Sequence, residues 1–232
     1  MRTVVVTGHP RAAMAQVDAL AVLGVATVHE ALGRDGYLGP DLRPVQRDTR
    51  IAGTAVTVLS RPGDNLMIHA AVEQCRPGDL LVVTTTSPSR DGSFGELLAT
   101  ALRHRGVRGV VTTAGVRDTA ELRAMGFPAW SGSVSAQGTV KAAAGSVNVP
   151  VVLGGQTVCP GDVVLADDDG VLCVPRLAAT ATLVAARARV ATEEATREAL
   201  TAGELGLDRY GLRRTLADLG VEYVNHPDVR NL

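Results

Sequence analysis

The sequence has 232 residues, of which 46% are hydrophobic and 20% are charged, and its formal net charge is −1. This hydrophobic fraction is too high for a disordered chain, and the balanced charge argues against a general nucleic-acid binder, which needs a basic excess. The length suits one domain with appendages, and we predict a single domain over residues 1–232. Lys141 is the one lysine among 23 basic residues, so any Schiff-base chemistry depends on it.

The cysteines and the apolar runs indicate where the protein resides. Cys75, Cys159 and Cys173 are odd in number and form no CxxC motif, so neither a disulfide framework nor a zinc site is predicted. No apolar run reaches the roughly 18 residues of a membrane span, and the run near the N-terminus is too short for a signal peptide. We therefore expect a cytoplasmic protein with no membrane partner.

Hydrophobic periodicity predicts the secondary structure in chain order. A helix is predicted over residues 12–32, with Gly33 as its stop, ahead of a core over about residues 50–176. The elements that follow are strand 51–59, helix 65–75, strand 80–84, helix 95–104, strand 109–113, helix 119–125, strands 147–153, 163–166 and 171–174, and a helical tail over 177–224 that begins with helix 177–201. The strand, helix and strand of residues 80–113 predict a right-handed βαβ unit with parallel strands, and hence an α/β fold.

Two loops of this βαβ unit carry the candidate binding residues. The helix that opens at Gly95 has its first amides on Gly95, Glu96, Leu97 and Leu98, which lack intrahelical acceptors and suit a carboxylate or phosphate. Arg117 and Asp118 follow the next strand. Because ligands of α/β sheets bind at the carboxyl ends of the strands, these groups are expected to converge.

The residue types in this set suit a small acid and a metal ion. Arg117 offers bidentate recognition of a carboxylate, and Asp118 offers a hard oxygen ligand for Mg²⁺ or Mn²⁺. Glu96 and the distant Glu193 would hold metal-bound water. In the alternative interpretation, Asp118 only caps the helix that follows it, and Glu193 lies on a charged, solvated helix face.

Other polar residues are interpreted as structural. The five histidines, at 9, 29, 69, 104 and 226, show no metal-binding spacing. The three consecutive aspartates at 167–169, just before Gly170, predict a turn rather than a calcium loop. No G-x-G-x-x-G motif stands in a strand-to-helix context, so a dinucleotide site is not predicted.

Several stretches together resemble one family. They are GDLLVV at 78–83, GELL at 95–98, GVVTTAGVRD at 109–118 and NVPVVLGGQTVCPGDVVLADDDGVLCVP at 148–175. They resemble the family of 4-hydroxy-4-methyl-2-oxoglutarate/4-carboxy-4-hydroxy-2-oxoadipate aldolases and the regulator of ribonuclease activity A (RraA). The tail GELGLDRYGLRRTLADLGVEYV is similar to the longer, aldolase branch, so the resemblance covers nearly the whole chain.

The resemblance implies a fold and a site. The fold is a layered αββα sandwich with a C-terminal helical extension, assembled as a homotrimer or hexamer. The amides of Gly95, Glu96, Leu97 and Leu98, together with the Arg117 side chain, would bind the pyruvyl group of the substrate. Asp118 would be the direct ligand of Mg²⁺, or of Mn²⁺. Glu96, where members often carry aspartate, and Glu193 (or its neighbour Glu194) of a neighbouring subunit would contact the metal through water.

The implied activity is a class II, metal-dependent cleavage of a 2-oxo acid to pyruvate and a second 2-oxo acid, in aromatic-compound catabolism. Oxaloacetate decarboxylation is the implied side activity, because it passes through the same pyruvate enolate. Lys141 is then expected to be a solvated or structural cation rather than a Schiff-base lysine. The alternative function is a protein-binding regulator that inhibits a ribonuclease, and a third is the same site acting on a different substrate.

Overall fold

The computed structural model describes residues 3–226, and in that range it contains eight helices and eleven strands. The helices are α1 Met14–Leu23, α2 Val25–Ala31, α3 Leu66–Gln74, α4 Glu96–His104, α5 Thr119–Ala124, α6 Ala179–Thr201, α7 Gly206–Arg209 and α8 Leu212–Asp218. The strands are β1 Arg43–Pro44, β2 Ile51–Ser60, β3 Asp79–Thr85, β4 Gly92–Phe94, β5 Val110–Val116, β6 Ala129–Val134, β7 Ser146–Val147, β8 Val151–Leu153, β9 Gln156–Val158, β10 Val163–Asp167 and β11 Gly170–Val174.

One mixed sheet holds nine of the strands. Its main order is β1-β6-β5-β3-β2-β10-β11, while β4 pairs with β5 and β7 pairs with β2. The pairs β2–β3, β3–β5 and β5–β6 are parallel, which confirms the predicted βαβ unit, and β10 joins β2 and β11 in antiparallel pairs. The strands β8 and β9 form a separate antiparallel hairpin.

Both faces of the sheet are covered, since nearly every residue of β2 and β3 is buried. Helices α3, α4 and α5 bury one face around Phe94 and Leu102. The β8–β9 hairpin and the Trp130 side chain fill the other face. Helices α1, α2 and the start of α6 pack on β10 and β11. The carboxyl ends of β4 and β5 therefore belong to a sheet that is packed on both faces.

The structure differs from two of the predicted elements. The segment predicted as one helix over residues 12–32 is two helices, because Gly24 adopts φ 82° and ψ 161°, which no helix contains. The Val25 amide then donates to the Asp167 carboxylate at 2.8 Å. The strand predicted over residues 147–153 is broken at Asn148, whose φ is +56°, and resumes at Val151. The turn predicted before Gly170 is confirmed.

Contacts divide the chain into two compact units, Met1–Arg187 and Ala188–Leu232. In the second unit, Glu193 pairs with Arg189 at 2.7 Å and Glu194 pairs with Arg197. This unit also exposes Tyr210 and Leu212. The role predicted for Glu193 at a metal of a neighbouring subunit stays a prediction.

Candidate active site

Two loops meet at the carboxyl ends of β4 and β5. The sequence predicts this meeting for the loop after strand 80–84, but that loop contains the short, unpredicted strand β4, which pairs with β5. The loop after β4 leads through Gly95 into α4, and the loop after β5 carries Arg117 and Asp118 into α5. The two are joined directly, since the Arg117 amide donates to the Phe94 carbonyl at 2.9 Å. The candidate residues of both loops therefore occupy one place in the fold.

Asp118 links the two loops through its side chain. Its Oδ2 atom accepts a hydrogen bond from the Glu96 amide at 3.1 Å and lies 3.6 Å from Nε of Arg117. Its backbone is left-handed, with φ 55° and ψ 42°, and its side chain makes no capping bond to α5, the helix that follows it. The interpretation of Asp118 as a simple cap of its own helix is therefore wrong. The carboxylate instead lies at the N-terminus of α4, where the helix dipole favours negative charge.

Gly95 makes this close approach possible. A Cβ atom at this position would lie 2.3 Å from Oδ2 of Asp118, 3.0 Å from Cγ of Arg117 and 3.2 Å from its Nε atom. The backbone of Gly95 is extended, so the requirement for glycine is one of space and not of dihedral angle. The absence of a side chain at Gly95 lets the guanidinium and the carboxylate lie against the start of α4.

A small cavity of about 100 Å³ opens beside Arg117 and Asp118. Its volume is well below the roughly 300–1,000 Å³ typical of drug-sized ligands, so it suits a small acid. The residues that line it come from four segments and are Asn65, His69, Gly92, Ser93, Gly95, Leu97, Leu98, Arg117, Asp118 and Lys141. Arg117 and Asp118 also line a second, open groove along Val134, Ser135 and Ala136.

The predicted residues do not all take part in the same way. Gly95, Leu97, Leu98, Arg117 and Asp118 line the cavity together. Glu96 contributes its amide to Asp118, whereas its carboxylate accepts a hydrogen bond from the Thr100 hydroxyl at 2.8 Å along the helix. Because the Glu96 amide is already engaged, the amides of Gly95, Leu97 and Leu98 remain for an anionic ligand.

Five residues of the cavity were not among the predicted site residues. They are Asn65, His69, Gly92, Ser93 and Lys141. The sequence interpretation gave His69 a structural role and described Lys141 as a solvated or structural cation, yet both line the cavity. Burial, followed by the neighbouring Lys141, lowers the pKa of His69 below its ordinary value. One signal was present in the sequence, because Asn65 and His69 stand four residues apart and so share a helix face. The position of Lys141 at the cavity could not be predicted, since its loop lies some 70 residues after His69 in the sequence.

The donor set fits a divalent cation such as Mg²⁺. Oδ1 of Asp118 accepts no hydrogen bond from residues 3–226, so it is available as a hard oxygen ligand beside the cavity. Mg²⁺ usually keeps several waters and takes only one or two carboxylates from the protein. Among the same residues, no three histidine, cysteine or acidic side chains are grouped so that they could hold a metal on their own.

Cysteine chemistry has no support at this site. Burial raises the pKa of the Cys75 thiol to about 12, and it also raises the pKa of Cys159 and of Cys173. A nucleophilic cysteine needs the opposite shift, because the thiolate is the reactive form. None of the three lines the cavity.

Comparison with known proteins shows which family the chain belongs to. An RraA-like family model, described as Aldolase/RraA, matches residues 25–173, and the chain belongs to this family. This match and the likeness to the solved structure of Streptomyces coelicolor RraAS2 confirm the RraA-like α/β fold expected from the sequence.

The chain is also similar to individual members of this family. A protein of Halalkalibacterium halodurans named "Putative 4-hydroxy-4-methyl-2-oxoglutarate aldolase" is 26% identical over 79% of this chain and 87% of its own length. A Burkholderia multivorans protein of the same name is 36% identical over 66% of this chain and 94% of its own. Streptomyces coelicolor RraAS2, described as an unusual member of the RNase ES inhibitor RraA family, superposes with a TM-score of 0.73 at 27% identity and covers 82% of this chain and 99% of its own.

The helices were also compared with the dimensions of a bilayer. Within residues 3–226, none combines the length and the apolar character that crossing a membrane requires.

Proposed function

We propose that the chain is a class II, metal-dependent aldolase. It cleaves 4-hydroxy-4-methyl-2-oxoglutarate or 4-carboxy-4-hydroxy-2-oxoadipate to pyruvate and a second 2-oxo acid, with oxaloacetate decarboxylation as a side activity. One observation carries the proposal: Arg117, Asp118 and the N-terminus of α4 meet at one small cavity. The names of the relatives agree with it.

The binding step follows from the cations and amides of the cavity. Arg117 has a planar fork of donors that suits the carboxylate of a 2-oxo acid. The amides of Gly95, Leu97 and Leu98 lie at the positive end of the α4 dipole and add donors for the same group. Leu97 is 78% exposed, so the cavity is open at this end. A 2-oxo acid bound here would have its reacting carbons beside Asp118.

The cleavage step requires that negative charge be held on the pyruvyl half of the substrate. When C3–C4 breaks, the bonding electrons pass into a pyruvate enolate, and the C4 hydroxyl loses its proton to a water of the open cavity and becomes the 2-oxo group of the second product. A proton from water then adds to C3 of the enolate and gives pyruvate. Asp118, with Glu96 and the Glu193 of a neighbouring subunit through water, would hold the metal ion, Mg²⁺ or Mn²⁺. When bound, that ion supplies Lewis-acid polarisation of the 2-oxo group. Arg117 and the α4 amides contribute fixed positive charge where the enolate develops.

The rival mechanism is a Schiff base on Lys141, which lines the cavity and deserves a direct test. Borohydride added with pyruvate should not trap the protein, and Lys141→Arg should still release pyruvate. A trapped adduct of the wild-type chain would overturn the class II mechanism.

The test of the function itself is pyruvate release from 4-hydroxy-4-methyl-2-oxoglutarate and from oxaloacetate, followed through lactate dehydrogenase. We expect turnover with Mg²⁺, loss of turnover with EDTA and recovery when Mg²⁺ is restored. Asp118→Ala should abolish turnover. A folded protein that releases no pyruvate from either substrate with Mg²⁺ or Mn²⁺ would contradict the proposal.

A second candidate is a protein-binding regulator of a ribonuclease, which the likeness to Streptomyces coelicolor RraAS2 favours. The regulator would inhibit RNase ES in a cleavage assay, and Asp118→Ala would leave that inhibition intact. Such a result, together with no pyruvate release, would select this candidate.

A further inference from the structure

Two nitrogen-bearing side chains share the cavity with Arg117 and Asp118. Lys141 comes from the loop after β6, and His69 comes from α3. Neither is needed to hold the pyruvyl carboxylate, since Arg117 and the α4 amides already serve that end. The chain uses its one lysine here, and lysine presents a compact point charge that suits a single anionic group.

A buried carboxylate fixes where Lys141 lies. Asp64 is 2% exposed, and its Oδ2 atom accepts hydrogen bonds from the amides of Ala142 at 2.6 Å and Ala143 at 2.8 Å. Its Oδ1 atom accepts one from the Leu66 amide at 2.8 Å, at the start of α3. One side chain therefore binds the Lys141 loop to the helix that carries His69.

Asn65 completes this frame. The residue is 8% exposed. Its backbone amide donates to the Val140 carbonyl at 3.0 Å, and its side-chain Nδ2 donates to the Ser93 carbonyl at 3.1 Å. Lys141 thus follows a residue bonded to Asn65 and precedes two residues bonded to Asp64. Its backbone is held on both sides, which lowers the ordering cost of binding an anion.

The charges on the two sides of Arg117 and Asp118 differ. The open groove on one side continues along Val134, Ser135 and Ala136, none of which carries a charge. The cavity on the other side contains Lys141 and His69. A second anionic group of a ligand held by Arg117 would therefore lie on the Lys141 side.

We propose that Lys141 and His69 bind the second carboxylate of the substrate, the one remote from the 2-oxo group. The pair makes the cavity selective for 2-oxo diacids over 2-oxo monoacids of the same length. Lys141 supplies the charge, and His69 donates a hydrogen bond from its ring. The inference rests on the proposed function for its account of turnover, but binding can test it separately.

The binding test uses two stable ligands that differ only at the remote end. In 2-oxoglutarate the fifth carbon is a carboxylate, and in 2-oxopentanoate it is a methyl group. Calorimetric titration in the presence of Mg²⁺ should show wild-type protein preferring 2-oxoglutarate. Lys141→Met should reduce that preference by about tenfold or more and His69→Leu by a few-fold, the sizes expected for losing a charged and a neutral hydrogen bond. Lys141→Arg should retain most of it.

Arg214→Met provides a control, since it also removes one exposed cation, its side chain being 90% exposed in the second unit. It should keep the wild-type preference. A wild-type protein that binds both ligands equally would overturn the inference. So would a Lys141→Met protein that loses affinity for both ligands to the same extent.

Turnover separates a failure of this inference from a failure of the proposed function. The pair of substrates is 4-hydroxy-4-methyl-2-oxoglutarate and 4-hydroxy-2-oxopentanoate, which lacks the remote carboxylate. If both are cleaved and Lys141→Met slows both equally, the aldolase stands and the diacid subsite is wrong. If neither is cleaved but the ligand preference depends on Lys141, the subsite stands and the aldolase is wrong.

Discussion

Gly95→Ala is the sharpest test of the site, because it displaces two predicted functional groups without changing either. The new Cβ would lie 2.3 Å from Oδ2 of Asp118, whereas ordinary contacts begin at about 3.5 Å. The carboxylate must therefore move by roughly 1 Å, and Arg117, whose Cγ would be 3.0 Å away, must move with it. A misplacement of about 1 Å in a catalytic group can lower the rate by on the order of 100-fold.

The fold should tolerate the same change. The atoms that must move belong to partly exposed side chains, and the extended backbone of Gly95 is open to alanine. The main loss is the hydrogen bond from the Glu96 amide to Asp118, worth about 1 kcal/mol, which for a chain of this size lowers Tm by only about 2–4 °C.

The assay is lactate-dehydrogenase-coupled pyruvate release at saturating Mg²⁺, beside thermal unfolding of the same preparations. Gly206→Ala is the matched control, since its Cβ would meet nothing closer than 3.8 Å, and it should retain wild-type kcat/KM. Wild-type turnover by a folded Gly95→Ala protein would show that the observed place of Asp118 and Arg117 does not matter for the chemistry. That result would refute the site as described.

Three further predictions concern charge and burial. Arg117→Lys keeps the charge but loses the bidentate fork, so kcat/KM for pyruvate release should fall by about 10- to 100-fold while Tm changes little. Burial raises the pKa of Asp64, but the amides of Ala142, Leu66 and Ala143, with Lys141, outweigh it and hold that pKa below its ordinary value. The stability that the Asp64 carboxylate contributes is thus present above its unfolded pKa of about 3.9 and is lost as pH falls through the lower folded value. Asp64→Asn should cost about 2 kcal/mol in urea unfolding at pH 7, and the difference from wild type should narrow below about pH 4; a gap constant with pH would contradict this origin. Trp130→Phe removes the buried bond from Nε1 to the Asp167 carbonyl, seen at 2.8 Å, and should cost about 1–3 kcal/mol by circular dichroism.

The sequence predicts the elements whose periodicity is unambiguous and fails where a single residue interrupts a regular pattern. The apolar runs within β3 and β5 and the helix between them were predictable, because parallel strands buried on both faces are mostly apolar. Gly24 and Asn148 break apparently continuous elements, and their positive φ angles depend on tertiary partners such as the Asp167 carboxylate. The short strands β4 and β9 carry too few residues for any period to show.

The repeated P-G-D turns show why part of the site could not be predicted. P-G-D occurs at 62–64, 77–79 and 160–162, and the last two copies lead straight into predicted strands, so the motif is interpreted as a strand-entry turn rather than a domain repeat. The structure agrees for Asp79 and Asp162. Each carboxylate accepts a hydrogen bond from the backbone amide three residues earlier, that of Arg76 or Cys159. Asp64 differs, because it accepts amides from residues 142 and 143 instead. All three turns share one backbone bond, in which the Asp amide donates to the carbonyl three residues earlier. The loop that reaches the Asp64 carboxylate is set by the tertiary fold, and it brings Lys141 to the cavity.

Asp118 shows how one backbone conformation decides between a structural and a chemical role. At the N-cap position of α5, an aspartate with an extended backbone would cap that helix, and its carboxylate would be occupied by the amides of α5. The left-handed φ of 55°, which aspartate tolerates better than most residues, turns the carboxylate to the start of α4. There the Glu96 amide engages only Oδ2, so Oδ1 remains available at the cavity. The same bond occupies an amide that would otherwise bind the ligand, so the N-terminus of α4 acts partly on the ligand and partly on the residue proposed to hold the metal. The requirement for glycine at position 95 follows from this arrangement, because only an absent side chain leaves room for the carboxylate at that helix end.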